Sequence, residues 1–167
     1  MHLRPAAVPR RRMLAAIATG LAAGFSAGFS ALAHAATPAR RPPVEVWKDP
    51  SCGCCRDWVA YLEREGFQVV VHDVGNTAAR RRLGMPARLG SCHTATVDGY
   101  VIEGHVPVED IRSLLDERPA GVLGLAVPGM PVGSPGMDGA IYGGRRDPYD
   151  VLRVARDGRV DVYRSVR

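Results

Sequence analysis

The amino-acid sequence predicts a small α/β domain behind an export leader, and three observations carry that reading. Apolar residues alternate between strand-like and helix-like spacing over a stretch of chain that suits one domain. Three of the four cysteines gather at the mouth of the first predicted helix. The order strand, cysteine loop, helix, strand, helix, hairpin, helix is compatible with a sandwich of the thioredoxin type. No internal repeat and no second domain interrupts it.

Residues 1–35 read as a signal peptide. Arg4 and the run Arg10-Arg11-Arg12 form a positive start, Met13 to Leu32 carries no charge, and Ala33-His34-Ala35 is a small-x-small cleavage pattern. Arg10 to Leu14 also resembles a twin-arginine signal. An uncleaved anchor is the competing reading, since such a stretch is long enough to span a bilayer, but its Ala, Gly and Ser partition weakly. Cleavage after Ala35 is expected, leaving a periplasmic chain with no stable membrane insertion. The leader holds four arginines and no acid, so its removal lowers the net charge from +5 to +1. The basic balance then gives no support to nucleic-acid binding, and none is expected.

Residues 36–43, with Pro38, Pro42 and Pro43, read as a flexible mature N-terminus, and residues 44–167 as the metal-binding domain. Val44 to Trp47 alternates as a strand. Asp49-Pro50-Ser51 breaks it and can cap a helix. Cys55, Trp58, Val59 and Leu62 then form one apolar helical face, which Gly66 ends. Phe67 to Val71 is a second strand. Asn76 can cap a short helix through Leu83, which Gly84 and Pro86 end. Thr94 to Ile102 forms a hairpin about Asp98-Gly99. Pro107 opens a helix whose face is Val108, Ile111, Leu114 and Leu115. Pro119 to Gly144 reads as a Gly/Pro loop, and Tyr149 to Val166 as two strands about Asp157-Gly158.

Cys52 and Cys55 form a C-x-x-C at a helix start, where partial positive charge favours thiolate. Cys55 continues the apolar face and is expected to be the more buried sulfur, Cys52 the more exposed. That asymmetry suits attack and resolution by two thiols, or two ligands on one metal ion. Cys54 is a third thiol in the same turn and shifts the reading toward a soft ion, Cu(I). A structural disulfide with a spare cysteine is the plainer alternative. Arg56 stands where haem attachment needs a histidine, which excludes that chemistry. Zinc could take Cys52, Cys55, Cys92 and a histidine, although zinc sites usually pair two spaced dyads. Cys92-His93 precedes the hairpin strand and offers a thiolate and an imidazole together. His105, at a helix start, can reach the same region, whereas His72 reads as structural. Met130 and Met137 lie in the Gly/Pro loop as thioether ligands or a lid.

Four stretches, Asp49 to Cys55, Ser91 to Ala95, Gly99 to Pro107 and Gly124 to Met137, resemble the bacterial family named domain of unknown function 411, which includes periplasmic copper-resistance proteins. The resemblance runs from about Val44 to Tyr163. It implies a thioredoxin-like fold, a periplasmic role in copper handling, and thiol, imidazole and thioether groups gathered at one copper site. Carried over by motif, the ligands are Cys52, Cys54, Cys55 and Cys92, then His105 and Met130, then His93 and Met137. Asp138 stands where the family pattern has glutamate. The expected function is periplasmic Cu(I) binding in copper resistance, with copper ions and other periplasmic copper-resistance proteins as partners. A thiol–disulfide or copper oxidoreductase cycling Cys52 and Cys55 is the second expectation.

Overall fold

A computed structural model describes Pro43–Arg167, so the expected leader at 1–35, its cleavage site and most of the segment 36–43 lie outside the described residues. The elements are β1 (Val44–Lys48), α1 (Gly53–Arg64), β2 (Val69–His72), α2 (Thr77–Arg82), β3 (His93–Val97), β4 (Tyr100–Glu103), α3 (Val108–Glu117), β5 (Val122–Ala126), β6 (Tyr149–Ala155) and β7 (Val160–Val166). One mixed sheet has the order β2-β1-β3-β4-β5-β6-β7. The two helical crossovers, β1-α1-β2 and β4-α3-β5, join parallel neighbours, as crossovers must. The hairpins β3-β4 and β6-β7 are antiparallel. In the first, Asp98 and Gly99 both take positive φ, the geometry of a two-residue turn that matches strand twist.

The sheet is apolar on both faces. Successive strand residues point to opposite sides, and Val101 and Ile102 join different clusters. Ile102 packs in the larger one with Trp58, Val59 and Leu62 of α1 and Ile111, Leu114 and Leu115 of α3. Val101 packs in the smaller one with Met85 and Leu89, which follow α2. Helical segments therefore cover both faces of the sheet.

The expected α1 face is the observed one: Cys55, Trp58, Val59 and Leu62 are its buried residues. Two assignments change. The stretch from Pro119 to Gly144 is not one loop, because Val122–Ala126 forms β5, buried throughout, between β4 and β6. Gly124 hides this strand in the sequence, since glycine inside a strand usually weakens it. Here a Cβ at position 124 would overlap the Val101 carbonyl, so the glycine is what lets β5 approach β4. Asn76 holds the N-cap position of α2 but makes no side-chain cap bond. Its amide instead donates to Ser91 O at 3.1 Å and Thr94 Oγ1 at 3.3 Å.

Candidate metal centre

The centre forms where the loop after β1 meets the loop before β3. Asp49 accepts hydrogen bonds from Ser51 N and Oγ at 2.8 and 2.5 Å, turning the chain so that Cys52 takes the N-cap position of α1. Helical spacing then brings Cys55 back to Cys52, and the two form a disulfide with Cα atoms 5.4 Å apart. Cys55 is fully buried and Cys52 half-buried, the asymmetry expected from the apolar face. Cys54 and Cys92 are free thiols. Cys54 Sγ lies 3.6 Å from Cys52 Sγ and 3.7 Å from Cys92 Sγ.

Cys92 also faces two imidazoles. His105 Nε2 is 3.1 Å and His93 Nδ1 3.4 Å from its sulfur. The His105 Nδ1–H donates to Pro135 O at 2.8 Å, a partner that can only accept. The Nε2 lone pair of His105 is therefore the one turned to Cys92, the arrangement in which a carbonyl orients a ligating histidine. His93 is fully buried between the Trp58 ring, at 4.3 Å, and the His105 ring, at 4.9 Å. Its Nε2 is buried with no hydrogen-bond partner among the described residues. Burial holds His93 well below the ordinary histidine range, with His105 adding to the effect, and burial lowers His105 too. Burial and the neighbouring Cys54 push the Cys92 thiol up to about 12, so it keeps its proton until a cation displaces it.

Two donor groups result, Cys52–Cys54–Cys55–Cys92 and Cys92–His93–His105, each with ligand atoms within 4.8 Å of one another. Neither contains a carboxylate. Sulfur and imidazole with no hard oxygen suit a soft or borderline cation, and copper and zinc both meet that description. While the disulfide is closed, two of the four sulfurs are withheld; its two-electron reduction restores them.

The methionines differ in placement. Met137 is buried and its Sδ accepts a hydrogen bond from Tyr142 Oη at 3.2 Å. Met130 is 53% exposed and lines a surface hollow with Pro128, Pro131, Pro148, Tyr149, Asp150 and Leu152, none of them a residue of the sulfur cluster. His72 stacks on Trp47 and meets Glu45 at 3.3 Å, a structural role.

The family model described as "Protein of unknown function, DUF411" matches residues 89–137. Two solved structures of a copper resistance protein CopG, Form 2 and Form 1, are each 44% identical to this chain with a TM-score of 0.69. The first match covers 76% of this chain and 99% of that one, the second 75% and 98%. The chain belongs to the DUF411 family. Comparison with curated proteins returns no match. The DUF411 match contains Cys92, His93, His105, Met130 and Met137 but not the Cys52–Cys55 turn, which only the longer structural alignments can span.

Sequence reasoning missed the residues that hold these donors in place. A Cβ at Gly136, whose φ is +81°, would lie 2.8 Å from both Cys54 O and Trp58 N. The loop carrying Pro135 therefore rests directly on the first turns of α1. Trp58 Nε1 donates to Val106 O at 3.1 Å, tying that helix to the residue after His105. The Gly-Met-rich composition signalled a special loop, but nothing in it named the surface on which the loop rests.

Proposed function

We propose that this DUF411 protein is a periplasmic Cu(I)-binding protein of copper resistance or homeostasis, built on a thioredoxin-like domain. The observation that carries the reading is the convergence of four sulfurs from two separate loops. Reduced Cys52, Cys54, Cys55 and Cys92 bind the cargo ion as thiolates, and His105 and His93 supply nitrogen on the Cys92 side. The similarity to copper resistance proteins supports copper over zinc. The order β2-β1-β3-β4, with β1 parallel to β2 and antiparallel to β3, supports the thioredoxin-like core. Met130 offers an exposed thioether for capture, and Met137 becomes a ligand once Tyr142 turns away. Other periplasmic copper-resistance proteins are the proposed exchange partners.

The closed Cys52–Cys55 disulfide favours a second reading, a thiol–disulfide or copper oxidoreductase. In it a partner thiolate attacks the more exposed Cys52 sulfur, the S–S bond breaks, and Cys55 leaves as thiolate. The partner's second thiolate then attacks the partner sulfur of the mixed disulfide and Cys52 leaves as thiolate, so both cysteines end reduced and the partner dithiol ends as a disulfide.

Metal analysis and intact mass of protein isolated from the exported fraction test the primary reading together. Copper on a chain that begins near Ala36 is the expected result. Zinc at full occupancy, or a membrane-bound chain that retains residues 1–35, contradicts it.

A further inference from the structure

Glu103 is fully buried at the end of β4, with a carboxylate that accepts three hydrogen bonds and forms an ion pair with Arg80. Oε1 accepts from Arg80 Nε at 2.9 Å and from the Ser91 backbone N–H at 2.7 Å, with Arg80 Nη2 2.8 Å away in the ion pair; Oε2 accepts from Thr94 Oγ1 at 2.7 Å. Arg80 Nη2 reaches on to Ser91 O at 2.5 Å, where the Asn76 amide is a second donor. Ser91 Oγ donates to Gly129 O. Both backbone polar groups of Ser91 and its hydroxyl are thus committed to fixed partners.

A buried ion pair is a poor device for stability, because its desolvation cost rivals its attraction and an apolar pair of similar size serves as well or better. Its value here is geometric. Ser91 O belongs to the peptide plane that leads into Cys92, and two donors fix that plane. On the other side His93 O accepts the Gly104 N–H at 3.0 Å. Held at both flanks, Cys92 has little freedom in the direction of its side chain. Glu103 also stands two residues before His105, so one carboxylate relates the loop carrying the sulfur to the turn carrying the imidazole.

We propose that Glu103 and Arg80 are positioning residues that aim Cys92 Sγ at Cys54 and His105. They touch no metal ligand atom themselves, and the assignment rests on the proposed function only in taking Cys92 as a ligand. The pair acts through the Ser91–Cys92 peptide. Glu103→Gln keeps shape but removes the charge that holds Arg80, and Arg80→Lys keeps charge but removes the fork that bridges Glu103 to Ser91 O.

The test is the rate of iodoacetamide alkylation at Cys54 and Cys92, mapped by mass spectrometry on metal-free mature protein with Cys52–Cys55 oxidised. The parent protein, with Cys54 and Cys92 both partly exposed, supplies the reference rate for each cysteine. In Glu103→Gln and Arg80→Lys the Cys92 rate rises about tenfold while that of Cys54 stays within about twofold. Asn76→Ala leaves the ion pair intact, gives a smaller rise confined to Cys92, and decides the matter if the other variants fail to fold. Cu(I) affinity of the reduced variants falls by about tenfold in parallel. An unchanged Cys92 rate, or equal rises at both cysteines, overturns the proposal. A parent protein that binds no Cu(I) refutes the proposed function and leaves the alkylation result to judge the positioning role alone.

Discussion

His105 commits its Nδ1 proton to Pro135 O, and that single bond decides which lone pair faces Cys92. Burial keeps both His105 and His93 neutral below their ordinary value of 6.5. Unfolding exposes the rings, which then take up protons near that value. Below it the unfolded chain binds more protons than the folded one, so stability is full above pH 6.5 and falls as pH drops toward the folded values. The limit is about 1.4 kcal/mol per pH unit for each group. Glu103 works in the opposite sense, since burial raises its carboxyl from 4.5. Urea unfolding of metal-free protein between pH 7.5 and about 5.5 measures the balance. A decline that becomes shallower in His105→Gln is the expected result, and an identical slope contradicts it. Met130→Leu provides a second test at this scale. It keeps volume and polarity near those of methionine while removing the soft donor, so Cu(I) affinity falls with the melting temperature held. Unchanged affinity in a chelator competition assigns Met130 to surface packing.

Much of the element plan was legible because apolar spacing decides it. Cys55, Trp58, Val59 and Leu62 announced the buried face of α1, and Asp98-Gly99 announced the β3-β4 turn. β5 was not legible, since its central glycine reads as a strand breaker until the approach of Val101 is known. Gly124→Ala forces β4 and β5 apart in the middle of the sheet. Its expected cost is on the order of 3 kcal/mol or more, read as a lower urea midpoint at unchanged slope. A midpoint within about 0.5 kcal/mol of the parent's stability contradicts the close-approach account. The candidate donors were visible as residue types in tight motifs. The clamp on Ser91 was not, because its partners come from three different segments, α2 with Asn76 and Arg80, β4 with Glu103 and the loop with Gly129, that only the folded sheet brings together.

For the molecule as a whole, the sheet joins two loops 37 residues apart in sequence, so the centre exists only in the folded chain. That dependence separates the two functional readings. A disulfide oxidoreductase needs an attacking and a resolving thiol, which Cys52 and Cys55 supply. A copper site needs Cys54 and Cys92 as well, the two sulfurs left outside the disulfide and 3.7 Å apart. The most direct measurement is Cu(I) affinity by anaerobic chelator competition for reduced mature protein, Cys54→Ser and Cys92→Ser, with disulfide-reductase turnover recorded alongside. Each substitution is expected to weaken Cu(I) binding tenfold or more, about 1.4 kcal/mol, while Cys52 and Cys55 still form their disulfide. Equal copper affinity in all three proteins, with reductase turnover intact, would contradict the copper-binding account and favour the enzyme.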